Sequence, residues 1–327
     1  MKKITFYFIL CLIVISCSDN KIHPVDFYYW RSNFSISEKE KKVVDELQVK
    51  KVYIRFFDVD KKENLTKPVG KIVNFKPNQL NVAYIPTVFM TNRTFYNLDQ
   101  TQIKHLANNV NHLIHEIAAV SKLKDFNEIQ IDCDWTETTK SNYFLFLKEL
   151  EKQSGKKLSA TLRLHQVKFK DKTGIPPIKK MVLMCYATEN PQEVIKRNSI
   201  LDLDLAKDYL QNLSDYPLEL DVALPIYSWA ILTNHLGEIK LINSFSENQL
   251  KGKPVKDLGN GIYEVTDDFF LEKFYLSKGF KIKIETISED LLKKTKRFLD
   301  TKLKNDYRII YYHLDDKFIH NYNLNAL

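Results

Sequence analysis

The sequence predicts an α/β fold, a closed (β/α)8 TIM barrel, and three observations support this prediction. Short β-rich runs recur along the chain, helical spacing of apolar residues fills most intervals between them, and the runs number eight. The 327 residues suffice for one large α/β domain or two ordinary ones. An open doubly wound sheet is the alternative, but no phosphate-binding glycine motif accompanies the 8 glycines, which disfavours nucleotide-binding folds.

Each predicted element depends on its own periodicity. Apolar or alternating runs predict strands over 26–34, 51–60, 81–90, 128–136, 158–167, 181–188, 218–229 and 307–315. Apolar residues at helical spacing predict helices over 38–48, 99–122, 139–154, 203–213 and 288–304. The connection between the second and third strands has only a weak helical pattern, so that unit is predicted to be degenerate. Residues 236–287 exceed a plain loop and predict a small β-rich insertion between strands 7 and 8.

The first residues have the layout of a secretory signal. Two lysines precede an uncharged apolar run over 4–15, which is short for a membrane-spanning helix. Ser16 followed by Cys17 resembles the lipobox of bacterial lipoproteins, in which the cysteine becomes the lipidated first residue. An ordinary cleaved signal with a chance cysteine is the alternative. The predicted organisation is a lipoprotein signal peptide over 1–16, a tether over 17–25, and a barrel domain over 26–327 anchored to a bacterial cell envelope.

Charge and cysteine content restrict the partners. Basic side chains outnumber acidic ones, 49 to 41, but the excess is spread along the chain, mostly as lysine. This spread of charge and the predicted export of the protein both disfavour nucleic acid as a partner. The predicted lipid anchor is then the contact with a membrane. Beyond the signal only Cys133 and Cys185 remain, each in an apolar run, so two buried free thiols are predicted, with a disulfide as the alternative. The sequence predicts no metal and no cofactor, and it leaves the oligomeric state open.

The run over 129–137 is the most informative part of the chain. Side chains alternate on a strand, so Asp132 and Asp134 share the inward face, where two carboxylates are costly to bury without a partner. Alternation on the fifth strand adds Arg163 and His165 to that face. Sites in such barrels lie where the C-terminal ends of the strands meet, here called the mouth. Two carboxylates with different pKa values can act as the acid and the base in glycoside cleavage. The structural alternative is a network of Arg and Asp side chains that only pair with one another.

Other side chains are predicted at the same mouth. Alternation turns Arg55, Tyr186 and Tyr227 inward on the second, sixth and seventh strands. Aromatic rings near strand ends are candidates to stack on sugar faces, namely Tyr28, Tyr29, Trp30, Trp135, Tyr186, Tyr227 and Trp229. Trp135 and Trp229 are the preferred candidates, and about half of the set is expected to be core.

Several segments together carry a resemblance to one family. The stretch Ile131-Asp132-Cys133-Asp134-Trp135, with the helix that follows, resembles strand four and helix four of the chitinase-like glycoside hydrolases of family 18. Their motif is D-x-x-D-x-D-x-E on a (β/α)8 barrel. Three further segments are similar to family strands five, six and seven, namely Leu158-Ser159-Ala160-Thr161, Met184-Cys185-Tyr186 and Leu224-Pro225-Ile226-Tyr227. The resemblance implies hydrolysis of N-acetylglucosamine-containing glycans, with the motif Glu as general acid.

The chain departs from that pattern at three positions. Ile129 stands in place of the first Asp, Thr136 in place of the acid Glu, and Ala187 in place of an Asp on strand six. A threonine hydroxyl does not donate a proton at neutral pH as a carboxylic acid does. The proton donor is then Asp134 or the next residue along, Glu137, which would need a bulge or turn to point inward.

Three functional hypotheses follow. The first is an envelope-anchored glycoside hydrolase-like enzyme that acts on a glycan, with a catalytic set of Asp132, Asp134, Glu137 and Tyr186. Its predicted binding set is Trp30, Arg55, Trp135, Arg163, His165, Tyr227 and Trp229. The second is a non-catalytic glycan-binding or assembly lipoprotein on a degenerate hydrolase barrel. The third is a structural lipoprotein whose barrel interior pairs only with itself.

Overall fold

A computed structural model describes residues 21–63, 65–192 and 197–327. Its barrel strands, in a numbering that counts every strand along the chain, are β1 (Val25–Tyr29), β2 (Lys51–Lys62), β4 (Ala83–Met90), β5 (Glu128–Asp132), β6 (Lys157–Arg163), β7 (Lys180–Met184), β8 (Glu219–Pro225) and β16 (Ile309–Tyr312). They are parallel and follow the order β1-β16-β8-β7-β6-β5-β4-β2, and β2 pairs with β1. The sheet therefore closes, which confirms the predicted barrel.

Helices cover the outside of the barrel. They are α1 (Glu38–Glu46), α2 (Gln100–Ser121), α3 (Lys140–Ser154), α4 (Leu164–Lys168), α5 (Lys170–Thr173), α6 (Leu203–Tyr209), α7 (Glu289–Lys302) and α8 (Asp316–Ile319). In α2 one apolar face is buried, including Ile103, Leu106 and Val110, and Asp99 caps the helix by accepting from the Gln102 amide at 2.8 Å. The five helices predicted from periodicity are confirmed as α1, α2, α3, α6 and α7. The short helices α4, α5 and α8 were not predicted.

The second β/α unit is degenerate, as predicted. β3 (Leu65–Val69) pairs antiparallel with the far end of β2. A single 3-10 turn, Pro77–Gln79, precedes β4. Among the described residues 63 and 65–82, no α-helix covers this side of the barrel.

A small β-rich insertion separates β8 from β16. Its strands are β9 (Trp229–Thr233), β10 (Ile239–Asn243), β11 (Val255–Gly259), β12 (Ile262–Val265), β13 (Phe269–Leu271), β14 (Phe274–Leu276) and β15 (Lys281–Glu285). Five of them form an antiparallel sheet in the order β10-β9-β15-β12-β11, around a core that includes Phe245, Val265 and Ile282. The insertion begins earlier than predicted, because Trp229 pairs with β10 and β15 rather than extending the barrel strand.

Most barrel strands end sooner than predicted, whereas β2 runs two residues longer and β4 ends at the predicted residue. β5 ends at Asp132 and β6 at Arg163, because the chain leaves the ladder there to build the mouth. The Arg163 amide donates to the Gln166 side chain at 2.8 Å, which starts α4 and places His165 on a helical turn. Cys133 and Cys185 are buried free thiols.

The described part of the chain contains no helix that is long and apolar enough to cross a membrane. The predicted signal peptide and Cys17 lie outside the described residues.

Candidate active site

Two carboxylates at the end of β5 form the centre of the site. The Thr161 hydroxyl donates to Asp132 Oδ1 at 2.7 Å. Arg163 Nε lies 2.9 Å from Asp134 Oδ1. Both partners come from β6, where residues 161 and 163 point to the same face because side chains alternate on a strand. The structure thus brings together three predicted residues, Asp132, Asp134 and Arg163.

The two carboxylates differ in environment. Burial, and after it the negative charge of Asp134, raise the pKa of Asp132 to about 6, although the Thr161 hydrogen bond and the Arg163 charge act in the opposite direction. Asp134 is half-exposed, with 46% of its side chain accessible. Asp132 is therefore a carboxyl that takes up a proton close to neutral pH, beside a second carboxylate that is open to solvent.

A second charged pair extends the site toward β2. Arg55 Nε donates to Asp58 Oδ1 at 2.6 Å, and its guanidinium also donates to the Ser32 hydroxyl at 3.2 Å. A β-bulge between Arg55 and Phe57 shifts the register of β2. Arg55 and Asp58 therefore share a face of the strand although they are three positions apart in sequence. Simple alternation therefore missed Asp58, whose charge contributes to the raised pKa of Asp132. Gly70, at φ +59°, leaves room for the pair, since a Cβ there would lie 2.7 Å from the guanidinium.

Aromatic rings line the mouth in contact with one another. Tyr312 lies at the end of β16, with its ring centroid 5.6 Å from Tyr186, 5.7 Å from Tyr227 and 5.7 Å from Trp30. Trp229 lies 5.4 Å from Tyr227. Trp30, Tyr227 and Trp229 keep part of their surface open, whereas Tyr186 is only 7% exposed. Tyr312 was not predicted as a site residue, although it too lies at a strand end.

The insertion holds the outermost ring of this group. Glu285, at the end of β15, accepts a hydrogen bond from Trp229 Nε1 at 2.7 Å. The same carboxylate accepts from the Ser199 hydroxyl at 2.5 Å and lies 2.6 Å from Lys283 Nζ, and it is only 2% exposed. Glu285 thus ties the insertion to the segment after β7 and orients Trp229. The available sequence signal was an acid at the end of an alternating run, Lys281–Glu285.

Two predicted binding residues lie elsewhere. Trp135 is fully buried, stacks on Tyr143 at 5.2 Å and donates from Nε1 to the Thr173 carbonyl at 3.0 Å. It belongs to the core beneath α3, so the prediction that it lies at the mouth is wrong. His165 is exposed on α4 rather than inward on a strand. Partial desolvation of its ring lowers the pKa of His165, although the charge of Asp134 acts in the opposite direction.

The position expected for the general acid holds a hydroxyl network. Thr136 Oγ1 lies 2.9 Å from Thr138 Oγ1 and accepts from Asn92 Nδ2 at 3.3 Å. Thr139 in turn donates to Asn92 Oδ1 at 2.5 Å. Glu137 is exposed in the turn before α3, and no hydrogen bond or ion pair joins its carboxylate to any described residue. Within the described residues, no hydrogen bond or ion pair joins Glu137 to Asp134 or Tyr186.

No cluster of three or more histidine, cysteine, aspartate or glutamate side chains suited to a metal ion occurs in residues 21–63, 65–192 and 197–327.

Comparisons with known proteins agree with the fold. No family model and no curated protein matches the chain. Among solved structures it is similar to a chitinase from Chromobacterium violaceum ATCC 12472, with TM-score 0.56, 12% identity, and coverage of 93% of this chain and 98% of that one. The spore cortex-lytic enzyme SleL of Bacillus cereus gives TM-score 0.54, 14% identity, and coverage of 92% and 75%. A variant of a class V chitinase from Nicotiana tobaccum in complex with NAG4 gives TM-score 0.50 and 11% identity, with coverage of 93% of this chain and 97% of that one. At these identities the likenesses show the fold, a barrel of the kind that these glycoside hydrolases have.

The raised pKa of Asp132 predicts a pH-dependent cost to folding. A carboxyl whose pKa is raised on folding costs nothing below its unfolded value of 3.8 and destabilises the fold as pH rises toward about 6. The Asp132→Asn variant lacks this cost. Its free energy of unfolding, relative to the parent, should therefore rise by roughly 2–3 kcal/mol between about pH 4 and pH 7.

Urea unfolding across that pH range measures this difference. Glu151→Gln, at an exposed position on α3, serves as the control and should show no such rise. An equal pH profile for the two variants would contradict the raised pKa.

Proposed function

We propose that the protein is an envelope-anchored lipoprotein that binds an N-acetylglucosamine-containing glycan at the barrel mouth without cleaving it. The fold it shares with chitinases and a cortex-lytic enzyme supports the glycan class by analogy. The open faces of Trp30, Tyr227 and Trp229 offer flat apolar surface for sugar rings. The charged groups of Asp134, Arg163 and Arg55 supply hydrogen bonds for hydroxyl and acetamido groups.

One observation favours binding over hydrolysis. The position of the expected acid carries Thr136, whose hydroxyl bonds to neighbouring threonine and asparagine side chains. Glu137 is exposed and Asp134 is ion-paired with Arg163. A leaving-group oxygen needs a carboxylic acid within hydrogen-bond reach. The site thus keeps groups for recognition and lacks a positioned donor where the family has one.

Calorimetric titration with N-acetylglucosamine oligomers tests the proposal. We expect saturable binding and no released sugar at any pH tested. Trp229→Ala should weaken binding by about tenfold, because it removes one stacking face. The control is Phe270→Ala, at an aromatic of the insertion that is 65% exposed and belongs to another sheet. If the parent releases sugar and Asp134→Asn abolishes that release, the binding proposal is wrong.

Hydrolysis remains a second candidate because of one observation, the carboxyl of Asp132 with its pKa raised to about 6. In this case Asp132 in its protonated form supplies the acid, and Asp134 supports the developing positive charge. Turnover would rise as pH falls through about 6 and would disappear in both Asp132→Asn and Asp134→Asn.

Replacement of Thr136 tests how closely the mouth matches that of a hydrolase. Thr136→Glu restores a carboxylic acid at the expected position, so it should release sugar slowly from oligomers that the parent only binds. Thr136→Gln has the same shape without the acid and should release none. Reducing-sugar assays distinguish the two. A Thr136→Glu variant that binds the oligomer yet stays inactive would contradict the assignment of this position.

A further inference from the structure

The structure holds a large cleft at the pole opposite the mouth. Its volume is about 850 Å3, and it is lined at the starts of three barrel strands by Val25, Lys50 and Ile309. Because the barrel strands are parallel, their starts all lie at one pole and their C-terminal ends at the other. The cleft therefore faces away from the candidate active site.

Basic side chains dominate the lining of this cleft. They are Lys21, Lys50, Lys293, Lys296, Arg297 and Arg308. Two acids also line it, and one of them, Asp300, already bonds to His23 at 2.8 Å and to the Tyr307 hydroxyl at 2.8 Å. Arg308 pairs with Asp26. Four of the basic side chains have no ion-pair partner within the described residues, namely Lys21, Lys50, Lys293 and Arg297. The cleft is thus left with uncompensated positive charge.

One of these cations is held partly away from water. Lys296 Nζ donates to the Ala326 carbonyl at 2.7 Å and to a main-chain oxygen of Leu327 at 3.2 Å. Burial, and after it the charge of Lys293, lower the pKa of Lys296 to about 8, although the charge of Asp300 acts in the opposite direction. A bound anion would relieve both effects, since it would compensate the ammonium charges that now repel one another.

We propose that this cleft binds the phosphate-bearing headgroups of an anionic lipid bilayer. The inference rests on the proposed lipid anchor, because Cys17 precedes Lys21 by only four positions. Four extended residues span at most about 14 Å, so a lipid on Cys17 holds this pole against the membrane. Basic groups near an anionic surface each add to membrane attraction. The mouth then points away from the bilayer, toward the glycan.

Vesicle binding tests this orientation without the lipid anchor. The mature chain with Cys17→Ser lacks the lipidation site and keeps every described residue. We expect it to sediment with phosphatidylcholine vesicles that contain phosphatidylglycerol, and not with phosphatidylcholine alone. The double variant Lys293→Glu and Arg297→Glu should bind at least about tenfold more weakly. Both residues lie exposed on α7.

The matched control is Lys251→Glu with Lys256→Glu, which makes the same charge change at exposed positions of the insertion. Equal losses in the two double variants would overturn the proposal, because net charge alone would explain them. Binding of inorganic phosphate without preference for anionic vesicles would also overturn it, in favour of a soluble anion. Glycan affinity is measured on the same variants and should not change. A chain that binds vesicles but no glycan would contradict only the proposed function.

Discussion

A column of polar side chains inside the closed barrel determines how the rest of the structure is arranged. The inward face of β5 carries Glu128, Gln130 and Asp132, and β6 supplies hydroxyls beside them. The Ser159 hydroxyl donates to Glu128 at 2.7 Å and lies 3.5 Å from Gln130 Nε2, and the Thr161 hydroxyl donates to Asp132 at 2.7 Å. Buried polar groups are costly unless they are bonded, so the column joins neighbouring strands and fixes their relative register.

The top of this column sets the chemistry of the mouth. Burial raises the pKa of Asp132, while Asp134 reaches solvent beside Arg163. The Thr136 network occupies the place where cleavage would need an acid. The insertion contributes Glu285, which orients the outer tryptophan of the aromatic wall. The proposed glycan site therefore lies at one pole of the barrel, and a basic cleft lies at the opposite pole.

The local sequence pattern predicted much of this arrangement. A helix or strand that buries one face has apolar residues at a period that differs between helices and strands. Alternation was enough to place Asp132 beside its partners on β6. Alternation failed at Asp58, because a bulge in β2 changes the face to which its side chain points. It also failed at Trp135, which follows the end of β5 and packs beneath α3. Glu285 is distant in sequence from the barrel mouth, and only the folded insertion brings it to Trp229. Contacts of that kind depend on tertiary structure, which periodicity does not encode.

The indole N–H signals of the 3 tryptophans give the most direct test of the claim that the mouth binds a glycan. Trp30 and Trp229 lie at the mouth, whereas Trp135 is fully buried in the core and serves as an internal reference. Titration of the chain from residue 17 onward, carrying Cys17→Ser, with a tetramer of N-acetylglucosamine, followed by 1H–15N NMR, reports all three signals at once. The account predicts saturable shifts of the Trp30 and Trp229 signals and an unchanged Trp135 signal. Unchanged signals from all three at saturating oligomer, or a shift of Trp135 alone, would contradict it.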